Sequence, residues 1–232
     1  MMLKAQNIRE IFANKYVNDE FTVGRGGHKM LEIIGASFVA DEVSIFGTVN
    51  DKYVEEELQW YESESTNIND ISEKPPAAWV GSANAHGEIN SNYGHLIYSS
   101  KYFDQYNSVR RELSNNPESR RAVMVYNRPS IWVEYNENGK NDFICTNAVS
   151  YYLRDDALHA VVQMRSNDVV FGYKNDRAWQ QYVLEQLALD LSDGFEGGKN
   201  IEPGDIHWQV QNLHIYERHF KFVSDYVKEA CK

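Results

Sequence analysis

Apolar residues return at three- and four-residue steps in four stretches of the chain, near 52–64, 101–114, 177–192 and 217–230. That is the spacing of an amphipathic helix. In the third stretch, Trp179, Tyr182, Val183 and Leu187 build one apolar face. Elsewhere the period shortens to two. The runs "AVMVYN", "SIWVEYN", "NAVSYYL", "ALHAVVQM" and "IHWQVQNLHIY" interleave β-branched and aromatic residues with polar ones and predict strands. "YYLRDDALHAVV" predicts two strands joined at Arg154-Asp155-Asp156. Residues 66–95 are rich in Pro, Gly, Asn and Ser and predict a long connection. The strands gather in the second half without regular βα alternation, which argues against a doubly wound parallel sheet and for a mixed α+β fold. No repeat, low-complexity tract or linker interrupts the chain, so 1–232 is expected to form a single domain.

Composition narrows the function. A hydrophobic content of 42% with 13% aromatics supplies a core. No apolar run reaches membrane-spanning length, and "MMLKAQNIREIF" lacks the apolar block of a signal peptide. The two cysteines, Cys145 and Cys231, form no disulfide framework and no CxxC metal site, so a cytoplasmic setting is expected. The net charge of −11 argues against broad binding to a phosphate backbone, and no nucleic-acid partner is expected. Arginines that hold a phosphate here must be local and few.

Several residues can carry chemistry. Cys145, in "DFICTNAV", sits at the end of a predicted strand. It reads either as a small buried hydrophobe or, with arginines nearby to favour the thiolate, as a nucleophile. Arg120 and Arg121 in "NPESRRAV" read as a solvated pair or, with Arg165 and with Arg25 in "VGRGGHK", as a phosphate clamp. "GRGG" lacks the Gly-Lys-Ser/Thr element of a P-loop. Glu57 lies in the acidic helical run "VEEELQWYESES". Asp176 ends "MRSNDVVFGYKND" just ahead of a helical pattern, where an acid is an ordinary cap. The seven histidines show no ligand spacing, and no metal site is expected.

Taken in order, these fragments resemble the thymidylate synthase family. "GRGGHKMLEIIG" resembles its phosphate-loop segment, "EELQWY" with "TNI" its catalytic-glutamate helix, and "SRR" its partner-subunit arginines. "CTN" stands where the family usually has Pro-Cys-His, "MRSNDVVFGYKND" resembles its Arg-Ser-x-Asp-Val-x-x-Gly-x-x-x-Asn signature, and "LHIYERH" its His-x-Tyr element. Within the family, "EIIGASFVADE", "GEINSNYG", "MRSNDVVFG" and the His-x-Tyr-x-Arg-His-Phe run are most similar to the bacteriophage deoxycytidylate hydroxymethylase branch. Asp176 in place of the signature's Asn, and Thr146 in place of its His, point the same way.

The resemblance implies a thymidylate-synthase-like fold, a mixed sheet packed on helices, whose sheet forms the interface of a homodimer. It implies 5,10-methylenetetrahydrofolate as co-substrate and dCMP as substrate. Cys145 would add to C6 of the pyrimidine, Glu57 would organise water and protons, and Tyr93 would assist removal of the C5 proton. Arg25, Arg120, Arg121 and Arg165 with Ser166 would bind the 5′-phosphate, the adjacent pair coming from the other subunit. His214 and Tyr216 would hold the deoxyribose. Trp79, Asp168 and Gly172 fall on the folate side. Ser82 stands in place of a second folate-side tryptophan and would admit water. The resemblance also implies a tail beyond the last helix; the sequence stops at "VKEACK", so weaker or different closure is expected.

Asp176 has a physical reading here. An asparagine amide complements uracil, whose ring N–H donates and whose 4-carbonyl accepts. Cytosine inverts both groups, and a carboxyl of the same shape fits it. A buried mismatch costs about 1–3 kcal/mol. Asn175 is expected to cap the following helix, which frees Asp176 to select cytosine. The alternatives are a reductive methylase of dUMP or dCMP and a catalytically idle nucleotide- or RNA-binding homologue.

Overall fold

A computed structural model describes residues 2–24, 26–194 and 200–230. Its helices are α1 (Ala5–Val17), α2 (Asp51–Glu62), α3 (Ala77–Ser82), α4 (Tyr93–Tyr98), α5 (Gln105–Asn115), α6 (Ile131–Glu134), α7 (Gly172–Gly194) and α8 (Phe220–Ala230). Its strands are β1 (Thr22–Val23), β2 (Lys29–Val39), β3 (Val123–Val125), β4 (Thr146–Arg154), β5 (Ala157–Met164), β6 (Asn167–Asp168) and β7 (Glu202–Tyr216). The strands form one sheet in the order β1-β2-β7-β5-β4-β3, with β6 beside β7. β7 pairs parallel with β5 and β6 and antiparallel with β2, so the sheet is mixed, as the α+β expectation requires.

The central hairpin falls where the sequence places it. Arg154 pairs with Ala157, and the two residues between them, Asp155 and Asp156, take φ of 51° and 61°. Two positive φ values define the type I′ turn, whose twist matches that of the flanking strands. Alternation then assigns the faces. Val149, Tyr151 and Leu153 of β4, Leu158, Ala160 and Val162 of β5, and Trp208 and Val210 of β7 are buried in one core with Trp179, Val183, Leu184 and Leu187 of α7. Truncating Trp179 to alanine there would cost about 3–5 kcal/mol. On the opposite face, Gln163, Gln209 and Gln211 are exposed, and among the described residues no helix covers the centre of this side of the sheet.

Three expectations are corrected. "SIWVEYN" is not a strand: Ile131–Glu134 is a helical turn, with Glu134 N–H donating to Ser130 O at 3.0 Å. Only Ile131 is buried in it, while Trp132 and Val133 face outward, so the β-branched and aromatic residues there have no sheet surface to pack on. The α7 helix starts at Gly172, earlier than its apolar pattern, so Asn175 lies inside the helix and caps nothing. Asp168 closes the turn ahead of the helix, its Oδ1 accepting from Val170 N (3.0 Å) and Phe171 N (2.7 Å). The pattern also passes over α1 and β2. Among the described residues no helix is long and apolar enough to cross a membrane.

Candidate active site

Strand pairing brings Cys145 and Arg165 together. Thr146, the first residue of β4, pairs with Met164, the last of β5, and Arg165 N donates to Cys145 O at 2.9 Å. The Arg165 guanidinium folds back on the same segment. Its Nε donates to Ile144 O at 2.9 Å, its Nη2 donates to Phe143 O, and Nη2 lies 3.4 Å from Cys145 Sγ. This cation pulls the thiol pKa down, as expected, but burial acts more strongly, and Asp176 and Asp142 add to it. The thiol is pushed up to about 11. Within one chain Cys145 is therefore a thiol at neutral pH, and ionising it needs added positive charge or a base.

Cys145 borders two cavities, together with Ser82 and Asp142. The larger, about 730 Å³, runs past Trp132, Asn147, Arg165 and Gln211. The smaller, about 260 Å³, contains Tyr53, Glu57, Trp79, Tyr93, Gly172 and Asp176. Cys145, Glu57, Tyr93 and Asp176 thus converge on one wall-to-wall site from α2, α4, α7 and the start of β4. Ser82, whose hydroxyl donates to Ala78 O at 3.0 Å, lines both cavities with a small side chain.

Glu57 is buried on the inner face of α2, one turn after Tyr53 and one before Tyr61. Its Oε1 accepts from the Tyr53 hydroxyl and from Trp79 Nε1 at 3.0 Å. Burial raises its pKa, and both donors work against that rise. Trp79 therefore fixes the glutamate as well as lining the cavity. Tyr93 opens α4 and stacks on Tyr61 at 5.3 Å. This contact needs Gly94, because a Cβ there would lie 1.8 Å from Tyr61 O. Burial, and then Asp176 and Cys145, raise the Tyr93 pKa well above the usual phenol value, so its hydroxyl keeps its proton.

Asp176 stands on the first turns of α7 with its pKa raised to about 8, first by burial and then by Glu57; Asn167 and Tyr93 oppose the rise by hydrogen bonding. Near pH 7 the neutral acid predominates, so this group can donate as well as accept.

Asp168, expected on the folate side, lies on β6 and pairs with His214, expected on the sugar side. His214 and Tyr216 pack edge to face at 4.8 Å, and Arg218 lies 4.5 Å over the Tyr216 ring. Asp168 Oδ2 is buried with no hydrogen-bond partner among the described residues. Ser166 is half-buried next to Arg165. Arg120 and Arg121 are exposed, and Arg121 Nη2 lies 3.1 Å from Glu112 Oε1. Neither joins the Cys145 cavities of its own chain. Arg25 lies outside the described residues.

Two residues in the site escape sequence inspection. Tyr53 is one, visible only once α2 is known to turn Glu57 inward. Asp142 is the other: its Oδ2 accepts from Asn90 N (2.6 Å) and Ser91 N (2.8 Å), and its Oδ1 from Ser91 Oγ (2.7 Å). It ties the loop before Tyr93 to the segment before Cys145. No periodicity marks a lone loop aspartate. Among the described residues, one group has metal-ligand spacing, His159, Asp205 and His207, with ligand atoms within 4.8 Å of one another. It lies away from both Cys145 cavities. His159 Nδ1 accepts from Asp205 N at 3.0 Å, which puts the ring proton on Nε2 and turns neither nitrogen's lone pair toward a metal in that orientation.

Comparison with known proteins agrees with this geometry. The family description "Thymidylate synthase" matches residues 20–232. The chain is 50% identical to the deoxycytidylate 5-hydroxymethyltransferase of Enterobacteria phage T4 over 209 residues, 90% of this chain and 85% of that one. It is equally identical to the enzyme of that name from phage T2, over 88% of this chain and 82% of that one. The thymidylate synthase of Bacillus subtilis subsp. natto is 25% identical over 91% of this chain and 77% of its own. The chain belongs to the thymidylate synthase family, and it is an enzyme, a transferase.

Proposed function

We propose that the protein transfers a one-carbon unit to C5 of dCMP with hydration, giving 5-hydroxymethyl-dCMP, and that 5,10-methylenetetrahydrofolate supplies the unit and leaves as tetrahydrofolate. The observation that carries this reading is Asp176: a carboxyl with its pKa raised to about 8, in one cavity with Cys145, Glu57 and Tyr93. Relatives that bear the hydroxymethyltransferase name at 50% identity support it.

Cys145 sulfur forms a bond to C6 of the ring, which makes C5 the nucleophile toward the one-carbon unit. The C5 proton leaves to a water held by Tyr93 and Glu57, whose hydroxyl and carboxyl line the same cavity as Cys145. The bond from the transferred carbon to the folate nitrogen breaks, so that tetrahydrofolate departs with that electron pair and an exocyclic methylene is left on C5. Water then adds its oxygen to the exocyclic carbon, the C6–S bond breaks, and Cys145 departs with its electron pair. The small side chain of Ser82, which borders both cavities, leaves room for that water. Trp79, Gly172 and the unpartnered Asp168 Oδ2 fit a pterin, offering an aromatic ring, close backbone approach and an acceptor for ring N–H groups. Ser166 and Arg165 hold the phosphate, and His214 and Tyr216 the 3′-hydroxyl.

The uncovered sheet face and the exposed Arg120 and Arg121 support a homodimer in which those two arginines complete the phosphate site of the other subunit, beside that subunit's own Arg25 and Arg165. Their charge would also favour the Cys145 thiolate that one chain alone does not stabilise. The enzyme acts in the cytoplasm on free nucleotide. An idle binding homologue would not need a nucleophile, an acid pair and a phenol in one cavity.

The test is a product assay with dCMP and methylenetetrahydrofolate. A gain of CH₂O on the nucleotide, with no dihydrofolate formed, is expected. A gain of CH₂ with dihydrofolate would instead make the protein a reductive methylase.

A further inference from the structure

A neutral carboxyl does not by itself distinguish cytosine from uracil. With its proton on the oxygen that faces ring position 3, it donates to the bare nitrogen of cytosine and accepts from the 4-amino group. With the proton on its other oxygen, it donates to the 4-carbonyl of uracil and accepts from the ring N–H. Discrimination therefore requires something that decides which oxygen carries the proton.

A side chain outside the cavity supplies that decision. Asn167 is 3% exposed, and its Nδ2 donates to Asp176 Oδ2 at 2.7 Å. Its amide has only one workable orientation, because its Oδ1 accepts from Trp208 Nε1 at 3.2 Å and an indole N–H can only donate. Trp208 is itself fully buried in the centre of β7. Asn167 thus offers Asp176 nothing but N–H. A carbonyl or carboxylate oxygen accepts that bond well, whereas the hydroxyl oxygen of an acid accepts it poorly. Gly172 makes room for the pair: a Cβ there would lie 3.0 Å from Asn167 Nδ2 and 3.7 Å from Asp176 Oδ2.

We infer that Asn167, held by Trp208, is a specificity-determining positioning residue that keeps Asp176 Oδ2 an acceptor and places the proton on Oδ1, so that the carboxyl fits cytosine and rejects uracil. Oδ2 meets the 4-amino group and Oδ1–H meets the ring nitrogen. The inference rests on the proposal that Asp176 reads the base.

The experiment is a set of dissociation constants for dCMP and dUMP, measured by calorimetry on the wild-type protein, Trp208→Phe and Asn167→Leu, with thermal melts of each. Trp208→Phe frees the amide to turn, and Asn167→Leu removes it at nearly constant shape. In both, the preference for dCMP over dUMP is expected to fall by about tenfold or more, largely through tighter dUMP binding. A purely structural loss weakens both ligands in proportion and leaves the ratio unchanged. An unchanged ratio in whichever variant melts cooperatively overturns the inference. A wild-type protein without preference between the two nucleotides overturns the parent reading of Asp176 instead.

Discussion

The two ends of the site are built differently. At the base end, Cys145, Glu57, Tyr93 and Asp176 come from four separate parts of one chain and meet in one cavity, with Glu57 held by Tyr53 and Trp79, Tyr93 stacked on Tyr61 and Asp176 held by Asn167. At the anion end, Arg165 is turned onto the Phe143 and Ile144 carbonyls, Arg120 is exposed, and Arg121 leans on Glu112 with its side chain 80% exposed. One chain preorganises the chemistry of the ring. On the proposed reading, the charge that would hold a phosphate is left to association. The same split accounts for Cys145, whose thiol is pushed up to about 11 because burial outweighs a single guanidinium.

Removing the nucleophile is the largest perturbation available at the base end. Cys145→Ser is expected to lower turnover at least ~10⁴-fold while dCMP still binds, read by product mass and calorimetry. Retained turnover would mean that the cavity does its chemistry without a covalent step. The anion end is tested by mixing. The double change Arg120→Ala with Arg121→Ala should leave an inactive enzyme, and equal amounts of it and Cys145→Ser, unfolded and refolded together, should recover about a quarter of wild-type activity through hybrid dimers with one intact site. No recovery would place those arginines in the site of their own chain or outside any site.

The smallest effect sharpens the base end through stability. An acid whose pKa rises from the ordinary 3.8 to about 8 on folding binds more protons folded than unfolded between those values. Its contribution to stability therefore falls as pH rises across that window and is fully lost above pH 8. Asp176→Asn removes this penalty, so its melting temperature should exceed the wild-type value by more at pH 8.5 than at pH 5. An equal difference at both pH values would show that Asp176 is not held neutral.

Much of this arrangement is legible in the sequence, for reasons that differ by residue. The β4–β5 hairpin reads directly, because alternation on both sides of Arg154-Asp155-Asp156 leaves only one turn position. Cys145, Arg165 and Asp176 stand in a recognisable order, although nothing in their spacing says that strand ends place Arg165 Nη2 3.4 Å from Sγ. "SIWVEYN" misleads because propensity describes a residue's fit to a pleated surface, and no such surface lies beside Trp132 and Val133. Asp142, Tyr53 and Asn167 stay hidden, since each acts through a hydrogen bond to a residue distant in sequence or a turn away on a helix whose inward face is unknown. The start of α7 is hidden as well. Its first turns carry the polar residues Lys174, Asn175 and Asp176, which an apolar pattern does not count.

The central claim is that a buried, protonated Asp176, with its proton placed by Asn167, selects cytosine. The most direct measurement is a competition at pH 7, with equal dCMP and dUMP, methylenetetrahydrofolate and the purified enzyme, in which both nucleotide products are weighed. The account predicts a gain of CH₂O on dCMP and no change to dUMP in the wild-type enzyme, with the preference reversed or abolished in Asp176→Asn. Modification of dUMP by the wild-type enzyme at a comparable rate would contradict it.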